Sequence, residues 1–215
     1  PVFAKAQNSG ADFIYQISSV NSQVMSSQYV KLQVPMAMTG VNVSALGLEY
    51  WDDTGGNGGG ISTLSPLPSV GFALDPVSQA FVDTYQAKYT SRPKIPHFNG
   101  FNAYHGLKQA MAAAEEAGGF KDVDAWAAAM LKQDLILEKD GQLWLRYGFW
   151  DYDTVEPVTG RTYPHNAYFD LAPPYDFAQP SMVVVQWKED GTVGVVYPFE
   201  FANTEFTLPS WVPEK

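Results

Sequence analysis

The sequence predicts an α/β fold whose first part forms a parallel sheet. Two apolar segments rich in β-forming residues, 12–17 and 34–39, flank a segment, 21–33, whose apolar residues recur at three- and four-residue spacing. A strand, a helix and a strand within about thirty residues have the length of a βαβ unit. A hydrophobic content of 46% and an aromatic content of 14% supply enough side chains for a sizeable core. We therefore expect a folded α/β chain.

A glycine-rich stretch, 51–60 (WDDTGGNGGG), precedes a further predicted strand at 61–67. Its glycines raise the alternative of a phosphate-binding loop. Such a loop places Gly-Lys-Ser/Thr at the start of a helix, whereas this stretch lacks the lysine and leads into a strand. The sequence favours a flexible connection.

Helices are predicted next, because apolar stripes follow recognisable caps. Asp75-Pro76 is a strong helix start, Gly118-Gly119 is a typical helix end, and Asp122 or Asp124 suits an N-cap. The last third instead favours hairpins, since Asp140-Gly141 and Asp190-Gly191 each separate two apolar segments. The predicted helices span 76–90, 102–117 and about 123–131, and prolines punctuate the connection between the hairpins.

Charge and residue usage argue against several functions. A net charge of −10 repels phosphate backbones, so we expect no nucleic-acid partner. The absence of cysteine excludes thiolate zinc sites and a cysteine nucleophile. No HExxH or Gly-x-Ser-x-Gly pattern occurs, and His105 has no partner histidine four residues away. Asp151, Asp153 and Glu156 depart from the calcium-loop pattern. The sequence predicts no catalytic residue, no metal and no cofactor.

Polar, uncharged residues follow the first two predicted strands. Ser18, Ser19 and Asn21 come after the first strand, and Thr39 and Asn42 come after the second. Small ligands bind beyond the carboxyl ends of strands in open α/β sheets, so these side chains are candidate ligand contacts. The alternative is that they only cap the helices that follow.

Four segments, taken in order, resemble the type I solute-binding proteins of the Leu/Ile/Val class. They are DFIYQISSVNSQVMSSQYVKLQVPMAMTGVN, DPVSQAFVDTYQAKY, GFNAYHGLKQAMAAAEEAG and VVVQWKEDGTVGVVYP. The resemblance implies an extracytoplasmic, periplasmic receptor that delivers a small solute to the permease of an ABC importer, with its signal peptide removed. It implies two α/β lobes, made of parallel sheets flanked by helices, with the ligand cleft between them. Amino-acid transport is the usual role of this class.

Family members are longer than this chain, so the resemblance implies that the N-terminal part of the fold is missing and would be a partner of these residues. Residues 1–70 would form second-lobe βαβ units. Residues 71–175 would return to the first lobe, and residues 176–215 would form the final crossover, a second-lobe hairpin and a tail.

By the same resemblance, the cleft contacts would come from both lobes. Phe98 and Phe101 would form an apolar wall, with ordinary core packing as the alternative, and Asn99 would lie beside them. The alternatives to an importer receptor are a sensory ligand-binding module of a larger receptor and a hydrolytic enzyme. The full set of expected contacts is Ser18, Ser19, Asn21, Thr39, Asn42, Phe98, Asn99 and Phe101.

The expected solute is neutral or anionic near the second lobe. Relatives that bind amino acids place an acidic residue just after the second strand, where this chain has Thr39-Gly40-Val41-Asn42. A buried ammonium without a partner costs several kcal/mol. The alternative is that Glu49, or an acid from the missing part, folds back and restores amino-acid binding.

Overall fold

The computed structural model describes residues 2–66, 69–72, 76–89, 95–133, 135–139, 142–150, 153–155, 160–162, 167–171, 178–179 and 182–213. The chain divides into two compact units, each drawn from separate stretches of sequence. Unit 1 comprises Pro1–Ala73, Tyr85–Pro96 and Met182–Lys215, and unit 2 comprises Leu74–Thr84 and His97–Ser181.

Helices and strands alternate in the first part of the chain, and strands dominate the last part. The strands are β1 (Phe13–Ser18), β2 (Ala37–Asn42), β3 (Ile61–Pro66), β4 (Leu135–Lys139), β5 (Gln142–Phe149), β6 (Ala167–Leu171), β7 (Ala178–Gln179), β8 (Met182–Trp187) and β9 (Val193–Tyr197). The α-helices are α1 (Val2–Asn8), α2 (Ser22–Lys31), α3 (Tyr50–Asp53), α4 (Pro76–Tyr89), α5 (Phe98–Glu116) and α6 (Val123–Leu131). Short 3₁₀ helices span Val43–Leu46 and Phe199–Phe201.

Unit 1 is built on a five-stranded sheet with the order β1-β2-β3-β8-β9. β1 pairs with β2 in parallel, β2 pairs with β3 in parallel, and β8 and β9 extend the sheet antiparallel. α2 covers one face and buries Tyr29 completely against Val34 and Met38. The predicted βαβ unit and the predicted hairpin around Asp190-Gly191 are confirmed.

The second strand lies further along the chain than the sequence predicts. Val34 and Met36 are buried in the core, but they precede β2, which runs to Asn42. Burial, rather than strand pairing, explains the apolar segment, and Pro35 has no N–H to give to a sheet. Thr39 and Gly40 therefore lie inside β2, which corrects their predicted place after the strand.

Unit 2 contains α5 and α6 and an antiparallel sheet with the order β4-β5-β6-β7. The antiparallel pair β4–β5 confirms the first predicted hairpin, although residues 140 and 141 lie outside the described residues. β6 and β7 fall in the proline-rich connection, for which the sequence predicts no strand. The Asp122 carboxylate accepts a hydrogen bond from the Ala125 amide, so Asp122 is the N-cap of α6.

The glycine-rich stretch is a tightly packed connection, which corrects the prediction of a flexible one. Gly58 and Gly59 are buried. A Cβ on Gly58 would come within 2.6 Å of the Tyr50 ring, and one on Gly59 would lie 2.6 Å from the Glu189 Cα. Glycine is needed here because other parts of unit 1 approach the backbone closely. The stretch leads into β3, as predicted, rather than into a helix.

Gln16 on β1 is a polar residue that is buried in unit 1. Its side chain is 4% exposed, and among the described residues neither Nε2 nor Oε1 has a hydrogen-bond partner. A buried polar group without a partner costs roughly 1–3 kcal/mol.

We expect Gln16→Met to raise the free energy of unfolding by about 1 kcal/mol, because methionine has a similar shape and needs no partner. Urea unfolding followed by tryptophan fluorescence measures this. Gln16→Glu is the opposing control, since a buried carboxylate there should destabilise the unit. A loss of stability in the methionine variant would contradict the prediction.

Candidate functional site

The carboxyl ends of β1 and β2 lie side by side in unit 1, because Ser18 is opposite Asn42 in the parallel register. The Ser18 hydroxyl donates to the Val41 carbonyl oxygen at 3.3 Å. Ser19 and Asn21 are exposed in the turn that leads into α2. Asn21 occupies the N-cap position of α2 with a φ of 56°, and its side chain makes no capping hydrogen bond. The structure thus brings Ser18, Ser19, Asn21 and Asn42 to one edge of the sheet.

Asn42 is the buried centre of this edge. Its side chain is completely buried; Nδ2 donates to the Ser26 hydroxyl at 3.0 Å, and Oδ1 accepts from the Ala45 amide at 3.2 Å. The second bond caps the 3₁₀ helix Val43–Leu46. This is the capping alternative that the sequence leaves open for Asn42, and a contact between Asn42 and a solute stays a prediction.

Thr39 lies apart from the other candidates. It is opposite Tyr15 in the middle of the β1–β2 pair, and strand alternation puts it on the face opposite to Ser18 and Asn42. Its hydroxyl accepts a hydrogen bond from Ser62 at 2.9 Å.

A serine-rich network holds the start of α2 against the loop after β2, and the sequence analysis missed it. The Ser44 amide donates to the Ser22 hydroxyl at 3.2 Å, and the Ser44 hydroxyl donates to Gln23 Oε1 at 2.9 Å. Ser22 and Ser26 are buried, whereas Gln23 and Ser44 are half-buried at the edge. The helical spacing of Ser22, Ser26 and Tyr29 was the available signal, since residues four and three apart share a helix face.

Two buried aromatic side chains make hydrogen bonds near this site, one to the loop after β2 and one to the glycine-rich stretch. The Trp187 indole N–H donates to the Ala45 carbonyl oxygen at 2.9 Å, and the Tyr50 hydroxyl donates to the Gly58 carbonyl oxygen at 3.2 Å. Burial raises the pKa of Tyr50 well above its usual range, so the phenol keeps its proton. The rings of Tyr50 and Trp187 lie 5.2 Å apart. Ala45 in the loop after β2 therefore packs in the same buried apolar cluster as Tyr50 and Trp187.

The other candidates belong to unit 2. α5 begins at Phe98, four residues before the predicted start of this helix at residue 102, so Phe98, Asn99 and Phe101 lie in its first turn. Asn99 is exposed, and its backbone N–H donates to His97 Nδ1 at 3.2 Å. Phe101 is completely buried, with its ring centroid 4.6 Å from that of His105. These contacts place Phe101 in core packing, which is the alternative that the sequence leaves open for it. A contact between Phe101 and a solute stays a prediction.

Glu49 occupies the N-cap position of α3 and is half-buried. Its carboxylate lies over Gly47, where an added Cβ would be 2.6 Å from Glu49 Oε2. Among the described residues, no group of three or more His, Asp or Glu side chains could hold a metal ion. In the same part of the chain, no helix is both long and apolar enough to cross a membrane.

No family model and no curated protein matches the sequence. A crystal structure named as a candidate branched-chain amino acid ABC transporter from Silicibacter pomeroyi is similar in fold, with a TM-score of 0.56 and 19% sequence identity. The match covers 99% of this chain and 50% of that one, so the chain spans half the length of that protein. The likeness shows the α/β fold of type I periplasmic binding proteins, over half of its extent.

Proposed function

We propose that these residues form part of an extracytoplasmic solute-binding receptor of an ABC importer. The observation that supports this most is the fold, which follows an ABC transporter protein along 99% of the chain. The polar edge formed by β1, β2 and the start of α2 is the expected place for a ligand in such a fold. The partners are then a small solute and an importer permease, and the site is periplasmic. The role is binding rather than catalysis.

The proposed solute contacts in unit 1 are side chains that stand at the exposed edge of the sheet. Ser19 and Asn21 are exposed there, and Ser18 is half-buried beside them. Asn42 would act mainly by holding the loop after β2, because its side chain already bonds to Ser26 and Ala45. Solute contacts by Phe98, Asn99 and Phe101 in unit 2, and by Thr39 inside β2, stay predictions of the sequence.

The polar edge favours a solute that carries no ammonium group near unit 1. The residues that follow the two strands, 18–23 and 42–46, include no aspartate or glutamate. A buried ammonium would lack its carboxylate there, at a cost of several kcal/mol. Hydroxyl and amide groups suit a carboxylate, an amide or a small aromatic compound.

We expect calorimetry to detect binding of an organic or aromatic acid in preference to leucine, valine or glutamate. Asn21→Ala should weaken this binding about tenfold, which corresponds to the loss of about 1.4 kcal/mol, and Glu49→Gln is the matched control that should leave it unchanged. A bound solute at a hundred times its dissociation constant should also add about 2.7 kcal/mol of stability.

Tight binding of an aliphatic amino acid, strongly weakened by Glu49→Gln, would contradict this solute class. Turnover of the solute would contradict the receptor role itself. If no compound in the panel binds, these 215 residues do not form a complete cleft by themselves.

A further inference from the structure

Residues 199–211, which follow β9, form a strap that binds back onto unit 1 at several separate places. The Asn203 and Thr204 amides both donate to the Val195 carbonyl oxygen on the edge strand β9, at 3.0 and 3.2 Å. Further along, the strap bonds to β8, to the turn after β8 and to the segment before β2, through the pairs Thr207 with Gln186, Ser210 with Glu189, and Trp211 with Val34. The strap is therefore a fixed part of unit 1.

Asn203 is the point where the strap joins two other segments. This residue is exposed, yet both polar atoms of its side chain are bonded. Oδ1 accepts from the Val195 amide at 2.8 Å, and Nδ2 donates to the Gly71 carbonyl oxygen at 2.7 Å. The approach is this close because Gly194 has no side chain, since a Cβ there would lie 2.7 Å from Asn203 Oδ1. A single carboxamide thus ties the strap to β9 and to residue 71.

Gly71 belongs to a connector, residues 69–72, that follows β3 and leads toward unit 2. Unit 1 gives way to unit 2 after Ala73. The Phe72 ring lies 6.1 Å from the ring of Phe201 in the strap, so the strap contacts two successive residues of the connector. Gly71 has a φ of 73°, and glycine rotates about its backbone more freely than other residues. A connector with a glycine at this point would bend there if nothing held it.

We propose that the strap is a conformational device that holds this connector rigid, with Asn203 as its lock. Motions between compact units depend on a few connecting residues that absorb the change in backbone angles. While Asn203 Nδ2 is bonded to the Gly71 carbonyl oxygen, residues 69–72 move with unit 1, and bending is confined to the residues after Phe72. When this bond breaks, Gly71 joins the part of the connector that bends. Asn203 is a positioning residue, and it acts with or without a bound solute.

Hydrogen–deuterium exchange followed by mass spectrometry tests the lock in the natural protein. Asn203→Asp is the variant, because a carboxylate keeps an acceptor for the Val195 amide but offers no donor to the Gly71 carbonyl oxygen. The amides of residues 70–72 should exchange about tenfold faster, the equivalent of about 1.4 kcal/mol. The amides of β8 and β9 should keep their exchange rates, since the strap stays bonded there.

Asn57→Asp is the matched control for the change in charge and for the lost donor. Asn57 is also in unit 1, and its Nδ2 also donates to backbone carbonyl oxygens, those of Thr54 and Gly55. Exchange at residues 70–72 should stay unchanged in this variant. Equal exchange in the two variants would overturn the proposal. Faster exchange throughout unit 1 in Asn203→Asp would also overturn it, because that result describes a general loss of stability rather than a released connector.

Spin labels at Gln28 in unit 1 and Lys121 in unit 2, both exposed positions, report whether the lock limits bending. The distribution of the distance between the labels should be broader in Asn203→Asp than in Asn57→Asp. Equal widths would overturn the role of the strap in bending. No solute is added in either experiment, so a failure of the lock leaves the proposed receptor function standing, and a failure of the solute panel leaves the lock standing.

Discussion

Gly40→Ala is expected to destabilise unit 1 by about 4 kcal/mol, the combined cost of backbone strain and overpacking. Gly40 has a φ of 122°, a backbone conformation that residues with a Cβ rarely adopt. An added Cβ would also overlap the backbone oxygen of Gln16 and lie 2.9 Å from the backbone nitrogen of the same residue. Since the obstacle is the backbone of β1, no side-chain movement can relieve it.

Urea unfolding followed by tryptophan fluorescence measures this loss. Gly106→Ala in α5 is the control, because a Cβ at Gly106 would meet no atom of the described residues within 4 Å and the residue lies inside a helix. That variant should gain up to about 1 kcal/mol, since alanine has the higher helix propensity. A Gly40→Ala protein as stable as the natural one would show that β1 and β2 are spaced differently.

Asn42→Ala is expected to lower the free energy of unfolding by about 3 kcal/mol. The substitution leaves the Ala45 amide without its acceptor and removes the donor to the Ser26 hydroxyl, both at buried positions. The loop after β2 should lose its attachment to α2 as a result.

The matched comparison is Ser19→Ala, an exposed candidate at the same edge. It should change stability by less than about 0.5 kcal/mol, as surface substitutions usually do. Chemical denaturation of both variants separates a structural role from a binding role. If Asn42→Ala were as mild as Ser19→Ala, the buried network would not support the loop.

Local patterns were sufficient to predict most elements of unit 1 and the caps of unit 2. Ser22–Lys31 is helical and Ile61–Pro66 is a strand, close to the predicted bounds. The end of α5 at Glu116 was predictable because Gly118, just past the C-cap Ala117, has a φ of 76°, a conformation that glycine adopts readily at a helix end. Propensity, capping and turn chemistry act over a few residues, so a sequence carries them directly.

The candidate site was only partly predictable. Ser18 and Asn42 were found at strand ends, and the parallel register brings them together. The roles of Ser26 and Ser44 could not be inferred from single residues, since a serine on a helix has many uses and only packing gives it a partner. The sequence places Thr39 after the second strand, whereas it lies inside β2. The error arose because a short apolar segment in the core and one in a strand have the same sequence pattern.

The sequence by itself determined the α/β class, the parallel start of the sheet and the absence of thiol chemistry, because composition and periodicity are properties of the chain alone. Only the tertiary structure decided that the Asn42 side chain is buried, that the glycine-rich stretch is tightly packed and that Phe13, Tyr15 and Ile17 on β1 are exposed. These outcomes depend on which distant residues approach each position. Burial and hydrogen-bond partners arise from contacts far apart in the sequence, whereas propensities arise from neighbours.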